Sequence, residues 1–177
     1  MKNKATTISQ FCVVPLVVAV LSLAGVAVAQ DTPAKKDASA NKSSSVSAKD
    51  KAFMKKAAKG GTLEVAMGKL AEQNAQSEDV KSFGKRMVTD HGKANDELKS
   101  IAEQKGVKLS TKEHSEKWSS DKAYMEAMVK DHEKDLAEFQ EEAKNGIDPE
   151  VKKFAEDTAK VIQEHLDLAK ETQSKLQ

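Results

Sequence analysis

EDVKSFGKRMVTDHGKANDELKSI, residues 78–101, decides how this chain folds. Val80, Gly84, Met87, His91, Ala94, Leu98 and Ile101 recur in alternating steps of four and three, the spacing that lines one face of an α-helix. Charged and polar residues fill the positions between. Ser77 stands where an N-cap belongs, with Glu78 and Asp79 favourably placed against the helix dipole. Gly106 can close the far end in a left-handed conformation. One residue of the inward stripe is not apolar: His91 lies near its middle.

That anomaly recurs. Met87-Val88-Thr89-Asp90-His91, Met128-Val129-Lys130-Asp131-His132 and Val161-Ile162-Gln163-Glu164-His165 each set an acid–histidine pair behind two apolar residues and a polar spacer. Each lies in a helical pattern. Working outward, the breaks predict four helices at about 48–75, 78–105, 120–144 and 149–175. Asn145-Gly146 ends the third, and Asp148-Pro149 opens the fourth as N-cap and first-turn proline. No stretch alternates as a strand does, and aromatic residues are only 4% of the chain, too few for a sheet core. The fold class is all-α, an up-down four-helix bundle.

The expected stripes place the special residues. The third helix gives Met125, Met128, His132, Leu136 and Phe139; the fourth gives Val151, Phe154, Thr158, Val161, His165 and Leu168. The first offers Phe53 or Met54, Ala57, Gly61, Glu64, Gly68 and Ala71, so Glu64 falls on or beside its apolar face. Gly60, Gly61 and Gly68 cost helix propensity, about 1 kcal/mol each, and glycines on an inner face permit close backbone approach. Glu64, His91, His132 and His165 all lie near their helix midpoints. At about 1.5 Å rise per residue they fall within roughly one turn of a common plane.

Three buried imidazoles need partners, because an unsatisfied buried polar group costs about 1–3 kcal/mol. Two readings meet that need. In one, His91, His132 and His165 with Glu64 ligate a transition metal such as iron, zinc or copper. Met87 and Met128, each four residues before a histidine and on its face, would add thioethers that favour copper, unless they only pack the core. In the other, histidine, acid and water form a metal-free polar core. Asp90, Asp131 and Glu164 lie about 100° round their helices from the histidines. They are poor co-ligands for the same ion, but each can orient an imidazole on a neighbouring helix or simply stay solvated. His114, in the connection between the second and third helices, reads as a surface residue, and Trp118 and Tyr124 as closing one end of the bundle.

Residues 1–29 read as a signal peptide: Lys2 and Lys4, an apolar run from Phe11 to Val28, and Ala27-Val28-Ala29 before Gln30. The lone cysteine, Cys12, lies within it. Residues 30–47, rich in Ser, Ala, Lys and Asp, read as a disordered linker, and 48–177 as the bundle domain. Removing two lysines from 29 basic residues leaves 27 against 28 acidic ones, a formal charge of −1. That balance disfavours nucleic acid. After cleavage no transmembrane segment is expected. The compartment is periplasmic or otherwise exported, with outer-membrane association and an envelope partner open; the stripes alone assign no oligomeric state.

FMKKAAKGGTLEVAMGKLAEQNAQSEDVKSFGKRMVTDHGKANDELKSIAEQKGV (53–107) and MVKDHEKDLAEF (128–139) resemble the bacterial exported family called domain of unknown function 4142. The resemblance implies a ferritin-like four-helix bundle of the outer membrane or periplasm and no established activity. Iron-oxidising ferritin-like proteins carry Glu-x-x-His. Here Val88, Val129 and Ile162 precede the histidines by three, which speaks against a di-iron carboxylate centre. The functions that fit are an exported metal carrier or stress-protective buffer and a non-catalytic envelope interaction module. A redox enzyme fits less well, since no nucleophile or substrate pocket is legible.

Overall fold

The computed structural model describes residues 46–110 and 114–176. The expected signal peptide, Cys12 and the linker up to residue 45 lie outside the described residues. Four helices make up the rest: α1 (Ala48–Asn74), α2 (Glu78–Gln104), α3 (Asp121–Asn145) and α4 (Pro149–Ser174). Among the described residues there is no strand, and no helix is long and apolar enough to cross a membrane.

Local chemistry sets most of the ends. Ser47 Oγ accepts from Asp50 N–H, Ser120 Oγ from Ala123 N–H, and Asp148 Oδ1 from Glu150 and Val151 N–H. Each such cap stabilises its helix by about 1 kcal/mol. Gly106, at φ +65°, ends α2 in the left-handed region as expected. Ser77 behaves differently: its hydroxyl makes no capping bond. The Asp121 carboxylate, at the start of α3, instead accepts from Gln76 and Ser77 N–H at 2.7–3.1 Å. A turn between α1 and α2 is thereby pinned to α3, a long-range contact no local pattern encodes.

Contacts at the ends fix the topology. Asp50, at the start of α1, accepts from Ile147 and Asp148 N–H in the α3–α4 turn, and Lys105, just past α2, pairs with Asp148 at 2.9 Å. At the other end Lys175 meets Asp79. Helices α2 and α3 therefore run the same way and sit diagonally, while every adjacent pair is antiparallel. Within the four-helix bundle this is the arrangement with one long crossover. The connection from Lys105 to Ser120 must span α2, about 40 Å at 1.5 Å per residue, which an extended chain of that length can do. On its way His114 Nε2 lies 3.2 Å from Thr62 Oγ1, halfway along α1, so His114 is half-buried and not a free surface residue. Trp118 packs on Tyr124 at that end.

The core is two apolar clusters. One holds Met54, Leu98, Ile101, Phe139, Val151, Phe154 and Ile162; the other holds Val80, Phe83, Met87, Tyr124, Met125 and Met128. The inward faces differ from expectation at several positions. Ala58 rather than Ala57 is buried in α1, and in α4 Ala155, Ala159, Ile162, Leu166 and Ala169 are buried while Thr158, Val161 and Leu168 are half-exposed. Alanines carry little hydrophobic signal, yet their small side chains are what let α4 pack closely, so the true face was hidden beside a more apolar-looking one. Gly68 and Gly84 bring the backbones of α1 and α2 together: a Cβ on either would lie 2.7 Å from the other's carbonyl oxygen. At Gly60, by contrast, a Cβ would make only an ordinary contact, 3.7 Å from Asp135 Oδ2.

A second buried lock sits at the bundle end. Asp50 is fully buried and Glu142 nearly so. Burial, with a hydrogen bond to Asp50 and its negative charge, pushes Glu142 up to about 7, so below that pH it holds a proton to share with Asp50. The folded chain then binds more protons than the unfolded one between the ordinary value of 4.5 and about 7, and this contribution is lost as pH rises through that window. Two outcomes are expected in denaturation experiments. Gly84→Ala should cost about 1–3 kcal/mol by overpacking, whereas Gly92→Ala, whose Cβ meets nothing, should gain about 0.5–1 kcal/mol. Glu142→Gln should gain on the parent as pH is raised from ~5 to ~8; a pH-independent difference would contradict the shared proton.

Candidate metal centre

Between the two apolar clusters lies a polar layer made by one residue from each helix. Glu64 (α1), His91 (α2), His132 (α3) and His165 (α4) are all buried. The shared height arises because each residue sits near the middle of its helix and all adjacent helices are antiparallel. The imidazole centroids form a near-equilateral triangle with sides of 5.7, 5.2 and 5.5 Å. One nitrogen from each ring lies within 4.8 Å of the other two.

The outward nitrogens are all held. His91 Nδ1 meets Glu64 Oε2 at 2.9 Å; His132 Nδ1 meets the Met128 carbonyl at 2.9 Å and Glu64 Oε1 at 3.4 Å; His165 Nε2 meets Asp90 Oδ2 at 3.0 Å. Carbonyls and carboxylates only accept, so each of these nitrogens carries the proton. The nitrogens left over are His91 Nε2, His132 Nε2 and His165 Nδ1. All three are buried and have no hydrogen-bond partner. In the neutral rings they are lone pairs, and they belong to the three rings that converge.

The electrostatics follow from burial and the single internal carboxylate. Burial acts to raise Glu64, but the adjacent His91, His132 and His165 outweigh it and hold Glu64 below its ordinary value. His91 is opposed by burial too, yet its contact with Glu64 holds it above the ordinary histidine value. Burial lowers His132, and it depresses His165 to about 4 against the pull of Asp90. The layer at rest is one carboxylate, one readily protonated imidazole and two neutral ones.

Around it, the sequence-predicted residues sort themselves. Asp90 reaches across from α2 to the α4 histidine, which is the cross-helix orienting role its position allowed. Arg86 pairs with Asp90 at 3.3 Å and with Glu164 at 2.5 Å, so Glu164 stays on the surface. Asp131 is half-buried and makes no direct bond to the three rings. Met87 and Met128 are buried in the adjoining apolar cluster, one turn from His91 and His132. One neighbour escaped the sequence reading. Asp135, pushed up to about 6 by burial and by the Glu64 charge, lines a cavity of about 20 Å³ with Glu64, His91 and Asn95. That is room for one water. Its spacing three residues after His132 was the available signal, since i and i+3 share a face.

The partners make unequal demands on stability. Glu64→Ala should cost about 3 kcal/mol, because a buried histidine loses its charge partner, whereas Glu164→Ala on the exposed Arg86 pair should cost under about 1 kcal/mol. Urea unfolding of the two variants checks the contrast, and equal losses would show that the buried pair is not special.

Comparison with known proteins adds a family and a fold. The family model described as Domain of unknown function (DUF4142) matches residues 34–172, and the chain belongs to that family. No curated protein matches the chain significantly in sequence. Among solved structures, one described as "CopM in the Cu(I)-bound form" superposes with a TM-score of 0.60 at 16% identity, covering 69% of this chain and 93% of that one. At that identity the likeness speaks for the fold.

Proposed function

For a member of this family with three converging imidazoles in its core, we propose that the chain is a metal-binding protein. His91 Nε2, His132 Nε2 and His165 Nδ1 are the ligands, and the ion is cargo to be carried or buffered. The observation that carries this reading is the set of three buried ring nitrogens without partners. An ion would turn three unsatisfied groups into three bonds. Histidine ligands characteristically donate their other N–H to a carboxylate or backbone carbonyl, and all three rings here do so. Glu64, which the sequence reading counts among the ligands, is better placed to orient His91 and His132 and to balance the ion's charge from behind them.

Copper is the favoured ion. Neutral imidazoles suit copper and zinc, iron would ask for carboxylate in the inner set, and two thioethers lie one turn away. Met87 and Met128 would serve Cu(I) as auxiliary donors. The structural neighbour described as Cu(I)-bound lends this support by fold alone. Metal–nitrogen bonds of about 2.0–2.1 Å require the nitrogens to lie closer together than 4.8 Å, so the rings would draw in on loading. We place the protein outside the cytoplasm, as a carrier or stress-protective buffer of the cell envelope, on the signal-like residues 1–29.

The competing reading, an envelope interaction module with a metal-free polar core, draws on the fact that each ring already has one bond. Elemental analysis separates them. Protein purified without chelator, or reconstituted with Cu(I), Zn(II) or Fe(II), should hold close to one ion per chain, and His91→Ala/His132→Ala should hold none. Saturating ion at about 100 times Kd should also add about 2.7 kcal/mol of stability to the parent alone. No uptake of any of the three ions would favour the metal-free core.

A further inference from the structure

We propose that the cleft between α2 and α4 is the path by which an ion reaches and leaves the histidine layer, with Arg86 as its latch. This rests on the metal-binding reading above and adds a route and a residue that controls rate.

The layer is not equally enclosed on all sides. Between α2 and α4 a cleft of about 420 Å³ opens to solvent, and its lining includes His91 and His165. His91 retains 7% exposure while His132 and His165 have none. A much smaller cavity of about 20 Å³, lined from all four helices and including Asp135, adjoins Glu64 and His91 inside the bundle. The α1–α2 seam is closed by backbone contact at Gly68 and Gly84. An ion that approaches through the open cleft meets two of its three ligands first.

Arg86 ties the walls of that cleft together. Its guanidinium donates through Nε to Asp90 on its own helix and through Nη2 to Glu164 across on α4. Asp90 Oδ2 in turn accepts from His165 Nε2. One side chain thus bridges α2 to α4, occupies two carboxylates that could escort a cation, and sets a fixed positive charge at the mouth. Fields of this kind act on rates more than on final affinity. Swinging Arg86 aside exposes Asp90 and Glu164 to an incoming ion without disturbing any ring nitrogen. Arg86 is therefore a positioning residue for transit and takes no part in ligation.

The test measures the rate of Cu(I) loading and of Cu(I) transfer to a colorimetric chelator, with stoichiometry and thermal stability recorded alongside. Arg86→Ala should load and unload about tenfold faster, with full stoichiometry and an affinity within about twofold of the parent. Glu164→Gln, which frees only one side, should accelerate less. Lys56→Ala breaks a comparable cross-helix ion pair with Glu138 away from the cleft and should leave both rates unchanged. The proposal is overturned if Arg86→Ala loads fully at the parental rate, if Lys56→Ala accelerates equally, or if Asp135→Asn alone changes the rates. A parent chain that takes up none of Cu(I), Zn(II) and Fe(II) would instead remove the metal-binding reading, and the route with it.

Discussion

A carboxylate buried among three imidazoles constrains everything around it. Glu64 sits in the middle of the bundle, where an unpaired charge is expensive, and it stays ionised because His91 and His132 face its two oxygens at 2.9 and 3.4 Å. Those contacts fix the Nδ1 sides of two rings, and Asp90 fixes the Nε2 side of the third. The remaining nitrogens of the three converging rings are left without a protein partner. The scaffold supports this at several points. Gly68 and Gly84 let α1 lie close against α2, two apolar clusters enclose the layer from either end, and pairing across antiparallel neighbours keeps the four residues level.

Interrupting a hydrophobic core with a polar layer forgoes apolar packing in a bundle of modest size. Three buried ring nitrogens have no protein partner, and they belong to the three imidazoles that converge. Preorganisation at this level, with every outward nitrogen held, is what a binding site needs and what packing alone does not. The same architecture explains why the site has a preferred open side. Helices α1 and α2 are sealed by glycine contact, whereas α2 and α4 are joined at the layer by longer, charged side chains.

Much of this was legible in residue spacing. The helices fall within a residue of their expected limits, because caps, glycines and Asp148-Pro149 are local signals. The histidine layer was legible for the same reason: a polar residue in an apolar stripe is conspicuous. Three kinds of information were not. The face of α4 was misjudged where alanines do the packing. The direction of α3 depends on Asp121, Asp50 and Lys105 contacts between residues far apart in sequence. The atom-level role of Glu64 depends on which side of each ring it touches, which spacing cannot express. Asp135 and Glu142 were missed because a carboxylate reads as surface until its burial is seen.

The central claim is that three ring lone pairs face a common point, and nitrogen NMR of the histidines tests it most directly. In metal-free protein above the titration of His91, the account predicts the Nδ1–H tautomer for His91 and His132 and the Nε2–H tautomer for His165. Adding Cu(I) should then perturb His91 Nε2, His132 Nε2 and His165 Nδ1 and leave the protonated nitrogens bonded as before. The opposite tautomer at any of the three rings, or an ion bound through His165 Nε2, would contradict it.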